Sequence, residues 1–232
     1  MEAKIGAIVL SRLDSSRLPG KALQKVNNKP LIEYVLERAH KVKGLCGVCV
    51  ATSRRSVDDP IAEFCENNNI HVFRGSGEDV ANRFLECMNF NSWDAAVRIN
   101  GDSPLHNSDL LSEAVRVYSS ENADIVTNVF PRSYPVGMSV ELVSKLALQQ
   151  AYNKMKKASN FEHVTEYFYE NSDDFNLKSL PYNKVDHSKI RLVVDTKSDF
   201  ERFAWLINSL GKKYLSVNYE NLIDLYMSYE KQ

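Results

Sequence analysis

The stretch KIGAIVLSRLDSSRLPGKAL, Lys4 to Leu23, decides how the chain reads. Ile5 to Leu10 is an unbroken apolar run with β-branched members, the pattern of a strand covered on both faces, as in parallel sheets. The run ends in a cationic loop: Arg12, Arg17 and Lys21 are spaced by Asp14, Ser15, Ser16 and the turn pair Pro19-Gly20. Open α/β sheets bind ligands at the carboxyl ends of their parallel strands. Guanidinium forks and an ammonium among small hydroxyl residues suit a polyphosphate. A solvated basic loop is the competing reading. Gly20-Lys21 does not belong to a Walker A loop, because the GxxxxGK[ST] spacing is missing.

The remaining composition narrows the class. A chain of 232 residues and 26.4 kDa fits a single α/β domain spanning 1–232. A net charge of −1 argues against a general nucleic-acid or anionic-membrane binder, so any anion site must be local. No apolar run is long enough to span a bilayer and no signal-peptide layout precedes Ile5, so the expected location is cytoplasmic. Cys46-Gly-Val-Cys49 has the spacing of half a zinc or redox site, but no second close pair exists, and all four cysteines read as buried reduced thiols.

Working outward, strand and helix patterns alternate. Pro30 opens a helix through LIEYVLERAHKV, a strand covers Gly47 to Ala51, a helix runs from Asp58 to Glu66, and a short strand covers His71 to Phe73. This rhythm predicts right-handed βαβ units. Arg74-Gly-Ser-Gly-Glu-Asp-Val-Ala-Asn-Arg83 is a glycine turn opening a helix through Phe90. Gly75 and Gly77 can let backbone amides approach a ligand, and Asp79 and Arg83 lie one turn apart; a capped helix with an ion pair explains the same residues. A strand at Asp94 to Ile99 delivers Asp102 to the same sheet edge as the cationic loop. There it suits Mg²⁺, which takes one or two carboxylates plus substrate phosphates, or else serves as a turn residue.

Beyond helix Ser108–Ser119 and strand Asp124–Val129, the segment 130–142 breaks the rhythm with two prolines and a glycine. Helices follow near Ser144–Lys157 and Phe161–Glu170, with His163 near the start of the second. Strands are expected at Phe175–Leu180 and Ile190–Val194. Asp195 stands where the latter hands over to a helix through Leu210, and a last helix covers Tyr219–Tyr229.

Six segments in this order, LSRLDSSRLPGKAL, RGSGEDVANRF, RINGDSPL, FPRSYPVGMSVEL, FEHVTEYFY and RLVVDTKSDFE, resemble the cytidylyltransferases of acidic sugars and their spore-coat polysaccharide relatives, the SpsF group, related to the CMP-Kdo and CMP-sialate synthetases. The resemblance runs from residue 4 to about 205. It implies a Rossmann-like, GT-A-like α/β nucleotidyltransferase fold of three layers, a mostly parallel sheet with a small β excursion, and CTP at the carboxyl edge. By that resemblance Arg12, Ser16, Arg17 and Lys21 grip the triphosphate, Gly75, Asp79 and Arg83 lie near the nucleoside, and Asp102 and Asp195 hold Mg²⁺. Arg17, Lys21, Asp102 and Asp195 are then the catalytic set, and Arg132, Tyr134, Glu141 and His163 fall on the acceptor side.

The implied reaction is attack by an acceptor oxygen on the α-phosphorus of CTP, releasing pyrophosphate, in surface polysaccharide biosynthesis. The implied partners are CTP and an acidic sugar; a phosphorylated polyol or sugar giving a CDP-linked product stays open, as does a non-catalytic nucleotide-binding protein. A glycosyltransferase using an Asp-x-Asp metal pair is disfavoured, because no two aspartates have that spacing. Ser11, where many members have Ala, is a conservative departure; Asn100, Ser103 and Met138-Ser139 depart from the forms common in the Kdo and spore-coat branches, which leaves the acceptor open. Segments 130–142 and 175–193 are expected to form a small excursion that pairs subunits into a homodimer.

Overall fold

The computed structural model describes residues 3–180 and 185–231. Strand β1 (Ile5–Leu10) is almost wholly buried, as its apolar run demands. The cationic loop follows it, then the short antiparallel pair β2 (Lys25–Val26) and β3 (Lys29–Pro30). Pro30 is the extended cap of α1 (Leu31–Ala39) rather than its first residue. Next come β4 (Gly47–Ser53), α2 (Asp59–Asn67), β5 (Val72–Gly75), α3 (Val80–Phe90), β6 (Ala95–Asn100) and α4 (Ser108–Glu121). The second half comprises β7 (Ile125–Thr127), β8 (Glu141–Ser144), α5 (Lys145–Lys154), α6 (Ala158–His163), α7 (Glu166–Glu170), β9 (Leu177–Ser179), α8 (Lys197–Leu210) and α9 (Tyr219–Tyr229).

Among the described residues the main sheet has seven strands in the order β5-β4-β1-β6-β8-β7-β9. β1 lies between β4 and β6, parallel to both, with Ile8 beside Cys49 and Arg98. β8 runs antiparallel to both β6 and β7, an interruption that the expected strand list did not contain. Side-chain alternation along β1 sends Ala7 and Val9 toward α1, α2 and α4, and Ile8 toward α3, α5 and α7. A third cluster seats α8 and α9 against α1, where Tyr34 meets Phe203 and Tyr214 edge-on, each at 5.2 Å between ring centres.

Three expectations are corrected. Ile190–Val194 is not a strand of the sheet: it runs beside residues 133–138, where the Val136 amide donates to the Ile190 carbonyl and the Val136 carbonyl accepts the Leu192 amide, and Gly137 at φ 101° lets the two backbones touch. The expected helix Phe161–Glu170 is two helices, broken at Val164, which sits at φ 51°, ψ −56°. That is a strained γ-turn, closed by the Thr165 amide donating to the His163 carbonyl, and a β-branched residue holds it only because its surroundings do. Cys46 is exposed, whereas Cys49, Cys65 and Cys87 are buried free thiols. The excursion expected over 175–193 includes residues 181–184, which lie outside the described residues.

Candidate active site

A cleft of about 450 Å³ opens at the carboxyl ends of β1 and β6. Two backbone contacts build its rim. The Gly101 amide donates to the Leu10 carbonyl at 2.8 Å, and a Cβ on Gly101 would come within 2.8 Å of Ser11 and 3.0 Å of that carbonyl, so only glycine lets the strand ends meet. The Val194 amide donates to the Asp102 carbonyl at 2.8 Å, which brings Asp195 beside Asp102 although 93 positions separate them in sequence. The Thr196 capping box then fixes Asp195 where α8 begins, the Asp195 amide donating to Asp199 at 3.1 Å.

Lys21 fills the gap between the two acids. Its Nζ donates to Asp102 at 2.8 Å and Asp195 at 3.1 Å, and Arg17 pairs with the other oxygen of Asp195. Gly20, at φ 69°, turns the chain so that its amide reaches the Leu13 carbonyl, which folds the loop back over the strand end. Asp58 holds the same loop from below by accepting the Leu13 amide at 2.7 Å. Arg12 crosses the cleft to donate to the Gly77 carbonyl at 2.5 Å and to Glu162 at 3.0 Å.

Arg83 lines the same wall and is only 1% exposed. Its Nη1 donates to the Ser76 carbonyl, and no carboxylate lies within ion-pair reach among the described residues. Burial, with the Arg12 charge nearby, pushes its guanidinium down to about 10. Gly75 does not face the cleft: a Cβ there would meet the Arg83 stem at 2.8 Å and the Phe73 ring at 2.9 Å, so the glycine makes room for the arginine. Asp79 is also spent inside the fold. It caps α3 by accepting the Asn82 amide and it accepts the Tyr152 hydroxyl, both at 2.7 Å, and this pairing pushes the Tyr152 phenol up to about 12.

The cleft therefore brings together Arg12, Ser16, Arg17, Lys21, Arg83, Asp102, His163 and Asp195 from the residues singled out in the sequence. Outside its lining are Gly75, Asp79, Arg132, Tyr134 and Glu141. Arg132 donates to Ser139 at 3.1 Å, and Tyr134 packs into the third core cluster against Tyr219. Glu141 is buried behind the wall, where it accepts from Arg98 at 2.5 Å, from Tyr169 at 2.9 Å and from the Thr165 hydroxyl.

Arg98, Asn100, Asp14 and Glu162 line the cleft and were missed. Arg98 had a legible signal, a charge inside the otherwise apolar strand AAVRIN. Two carboxylates that already enclose a cation at under 3.2 Å form an all-oxygen donor set of the kind Mg²⁺ accepts alongside phosphate oxygens. Among the described residues no cluster of three or more His, Cys, Asp or Glu could hold a metal ion by itself.

Comparison with known proteins agrees with this geometry. The cytidylyltransferase family model matches residues 6–229. An uncharacterized protein of Methanocaldococcus jannaschii is 36% identical over 201 residues, covering 86% of this chain and 82% of that one. The spore coat polysaccharide biosynthesis protein SpsF of Bacillus subtilis is 26% identical over 212 residues, covering 89% and 87%. The solved structure of a cytidylyltransferase from Leptospira borgpetersenii superposes with a TM-score of 0.90 at 30% identity, covering 99% of this chain and 96% of that one. A CMP-Kdo synthetase complexed with CTP shares the fold at a TM-score of 0.69 and 19% identity, covering 89% of this chain and 99% of that one. With an α/β nucleotidyltransferase fold and a cleft at its carboxyl edge, the chain belongs to the cytidylyltransferase family and is a nucleotidyltransferase enzyme.

Proposed function

We propose that this enzyme is a Mg²⁺-dependent cytidylyltransferase that moves CMP from CTP to an acidic, ulosonate-type sugar, releasing pyrophosphate, in surface polysaccharide biosynthesis. The observation that carries the reading is the four-membered ion cluster of Arg17, Lys21, Asp102 and Asp195 at the ends of β1 and β6. Relatives named as 3-deoxy-manno-octulosonate cytidylyltransferases, 33% identical over 115 residues, and the SpsF protein support the acceptor class and the pathway class.

In this reading the acceptor hydroxyl oxygen bonds to the α-phosphorus, the α–β anhydride bond breaks, and pyrophosphate carries away the bonding pair while the hydroxyl proton passes to solvent. Asp102 and Asp195 would hold Mg²⁺, which when bound would supply charge neutralisation at the reacting phosphate. Arg17 and Lys21 leave the aspartates for the β- and γ-phosphates and stabilise the charge that builds on the leaving group. Arg12, stretched between Gly77 and Glu162, and buried Arg83 orient the nucleotide along the α3 wall. The product is a CMP-linked sugar. The enzyme acts in the cytoplasm as a homodimer paired through segments 130–142 and 175–193, and light scattering that gives a monomer mass defeats the dimer.

The decisive experiment is a thermal-shift panel of CTP, UTP, ATP and GTP, each with and without Mg²⁺. CTP with Mg²⁺ at about 100 times its Kd stabilises the native state by roughly 2.7 kcal/mol, a rise of several degrees. A larger response to another nucleotide reassigns the donor. Pyrophosphate release with a ulosonate acceptor, against a phosphorylated polyol, then separates CMP-linked from CDP-linked chemistry.

A further inference from the structure

We propose that Arg98 reads the acceptor, pairing its guanidinium with the sugar's carboxylate, and that Glu141 is its positioning residue. The inference rests on the acidic-sugar reading above and adds the group that enforces it.

Arg98 is an anomaly in its strand. Ala95, Ala96, Val97 and Ile99 are buried and apolar, and the strand lies in the middle of the sheet. A cation placed there is costly unless it is held and used. Glu141 holds it from outside the cleft: Nη1 of Arg98 donates to one carboxylate oxygen at 2.5 Å. The other oxygen accepts the Tyr169 hydroxyl at 2.9 Å and the Thr165 hydroxyl, and Tyr169 lies 3.0 Å from Thr127 Oγ1. Glu141 is thus bonded by β6 and α7, and through Tyr169 to β7, and it is 5% exposed. It cannot follow a ligand without breaking three bonds.

The arginine has capacity left over. Nε is sealed from solvent and has no partner, and Nη2 makes no bond within the described residues. The side chain is 15% exposed and lines the cleft, so the Nη2 side of the guanidinium is the part that meets a ligand. Arg83, on the α3 wall, also keeps an unpartnered Nε, but the loop cations are differently committed. Arg12, Arg17 and Lys21 come from the loop after β1 and are tied to acids or carbonyls within the cleft. Arg98 comes from β6, beside the wall that the Val164 γ-turn shapes. That turn sets His163 on the cleft lining and Thr165 on Glu141 two positions later.

Charge decides the ligand class. Arg98 already spends one donor and much of its charge on Glu141, so what remains matches a monoanion better than a dianionic phosphate. A carboxylate carries one charge and matches a single open guanidinium edge. Arg98 therefore selects a sugar acid over a sugar phosphate.

The test uses purified enzyme, CTP, Mg²⁺, a panel of 3-deoxy ulosonates, the same sugars with the carboxylate reduced to an alcohol, and a matched sugar phosphate. The wild type is expected to turn over a ulosonate and to ignore its alcohol. Arg98→Gln should raise the ulosonate KM about 100-fold while leaving the CTP-Mg²⁺ thermal shift intact, which also shows that the variant folds. Glu141→Gln should raise that KM about 10-fold, and Glu141→Asp, which keeps the charge, should recover part of it. An unchanged KM in Arg98→Gln overturns the inference alone. Loss of the CTP shift assigns Arg98 to the nucleotide and also overturns it. Wild-type turnover of the sugar phosphate in place of every ulosonate overturns the acidic-sugar reading and this inference with it.

Discussion

The cleft has two cationic regions that are wired in opposite ways. Arg17 and Lys21, on the loop after β1, make their ion pairs inside the cleft, with the aspartates that line it. Arg98, on the sheet floor, makes its pair outside the cleft, with a carboxylate buried behind the wall. Exposure does not separate the two regions, since the side chains of Arg17, Lys21 and Arg98 are 65%, 11% and 15% exposed; the placement of the partner does. A cation paired within the cleft must give up a partner when ligand arrives, whereas one paired behind the wall is already aimed. The first arrangement suits phosphates that come and go with each turnover. The second suits discrimination, because an orientation fixed before binding costs no rotamer entropy during it.

Variants can break this contrast. The largest effect is expected from Asp102→Ala, which should lower kcat by about 1,000-fold or more, since in the proposed reading it removes a cation ligand at the reacting phosphate. Its melting temperature should move little, because Asp102 sits on the rim and supports the core only through its backbone. A kinetic assay paired with a melt checks both, and near-normal turnover removes Asp102 from the site. Lys21→Met should lower kcat/KM for CTP by about 100-fold. It should also strengthen Mn²⁺ binding to the nucleotide-free protein, read by electron paramagnetic resonance, because it unblocks the aspartate pair. The floor should answer differently: Glu141→Gln should alter acceptor KM and spare both CTP and Mn²⁺ binding.

The smallest effect concerns the rim from beneath. His106 is buried, its Nδ1–H donates to the Ser103 carbonyl at 3.1 Å, and burial, with the Arg38 charge adding to it, pushes the imidazole down to about 3. The unfolded chain takes up this proton near pH 6.5 and the folded protein does not, so His106 contributes stability above that pH and loses it as the pH falls toward 3. The slope approaches about 1.4 kcal/mol per pH unit for the single group. Urea denaturation at pH 7 and pH 5 measures it. His106→Leu should flatten this part of the profile, since Nε2 has no partner to lose.

Much of the fold was legible because its signals are local. The apolar run of β1, the turn residues after it and the periodic last helix Tyr219–Tyr229 occur at the expected residues. The insertion of β8 between β6 and β7 was not legible, because strand order depends on long-range pairing that no short window encodes. Ile190–Val194 carries a strand's composition, but its partner is an irregular segment with a glycine at positive φ rather than a sheet edge. The site shows the same division. Strand-end acids and loop cations could be read from their neighbours, whereas Gly75 was read as an approach to ligand when it clears space for Arg83. Glu141 was read as an acceptor contact when it stands behind one wall residue, Arg98, that the motif reading passed over. Residue type reveals what chemistry a side chain can do; only packing reveals which way it is turned.

Lys21 has one further consequence. By lying between Asp102 and Asp195 it makes the resting enzyme an ion exchanger loaded with its own ammonium. In the proposed reading, a bare divalent ion would have to displace the ammonium from both of its carboxylate partners. An ion already chelated by a triphosphate brings the evicted ammonium its next partner. In the proposed reading, metal and nucleotide would load as one package, each tightening the other by the same factor, as linkage requires. Lys21 would then keep divalent ions off the aspartates between turnovers without a separate gate.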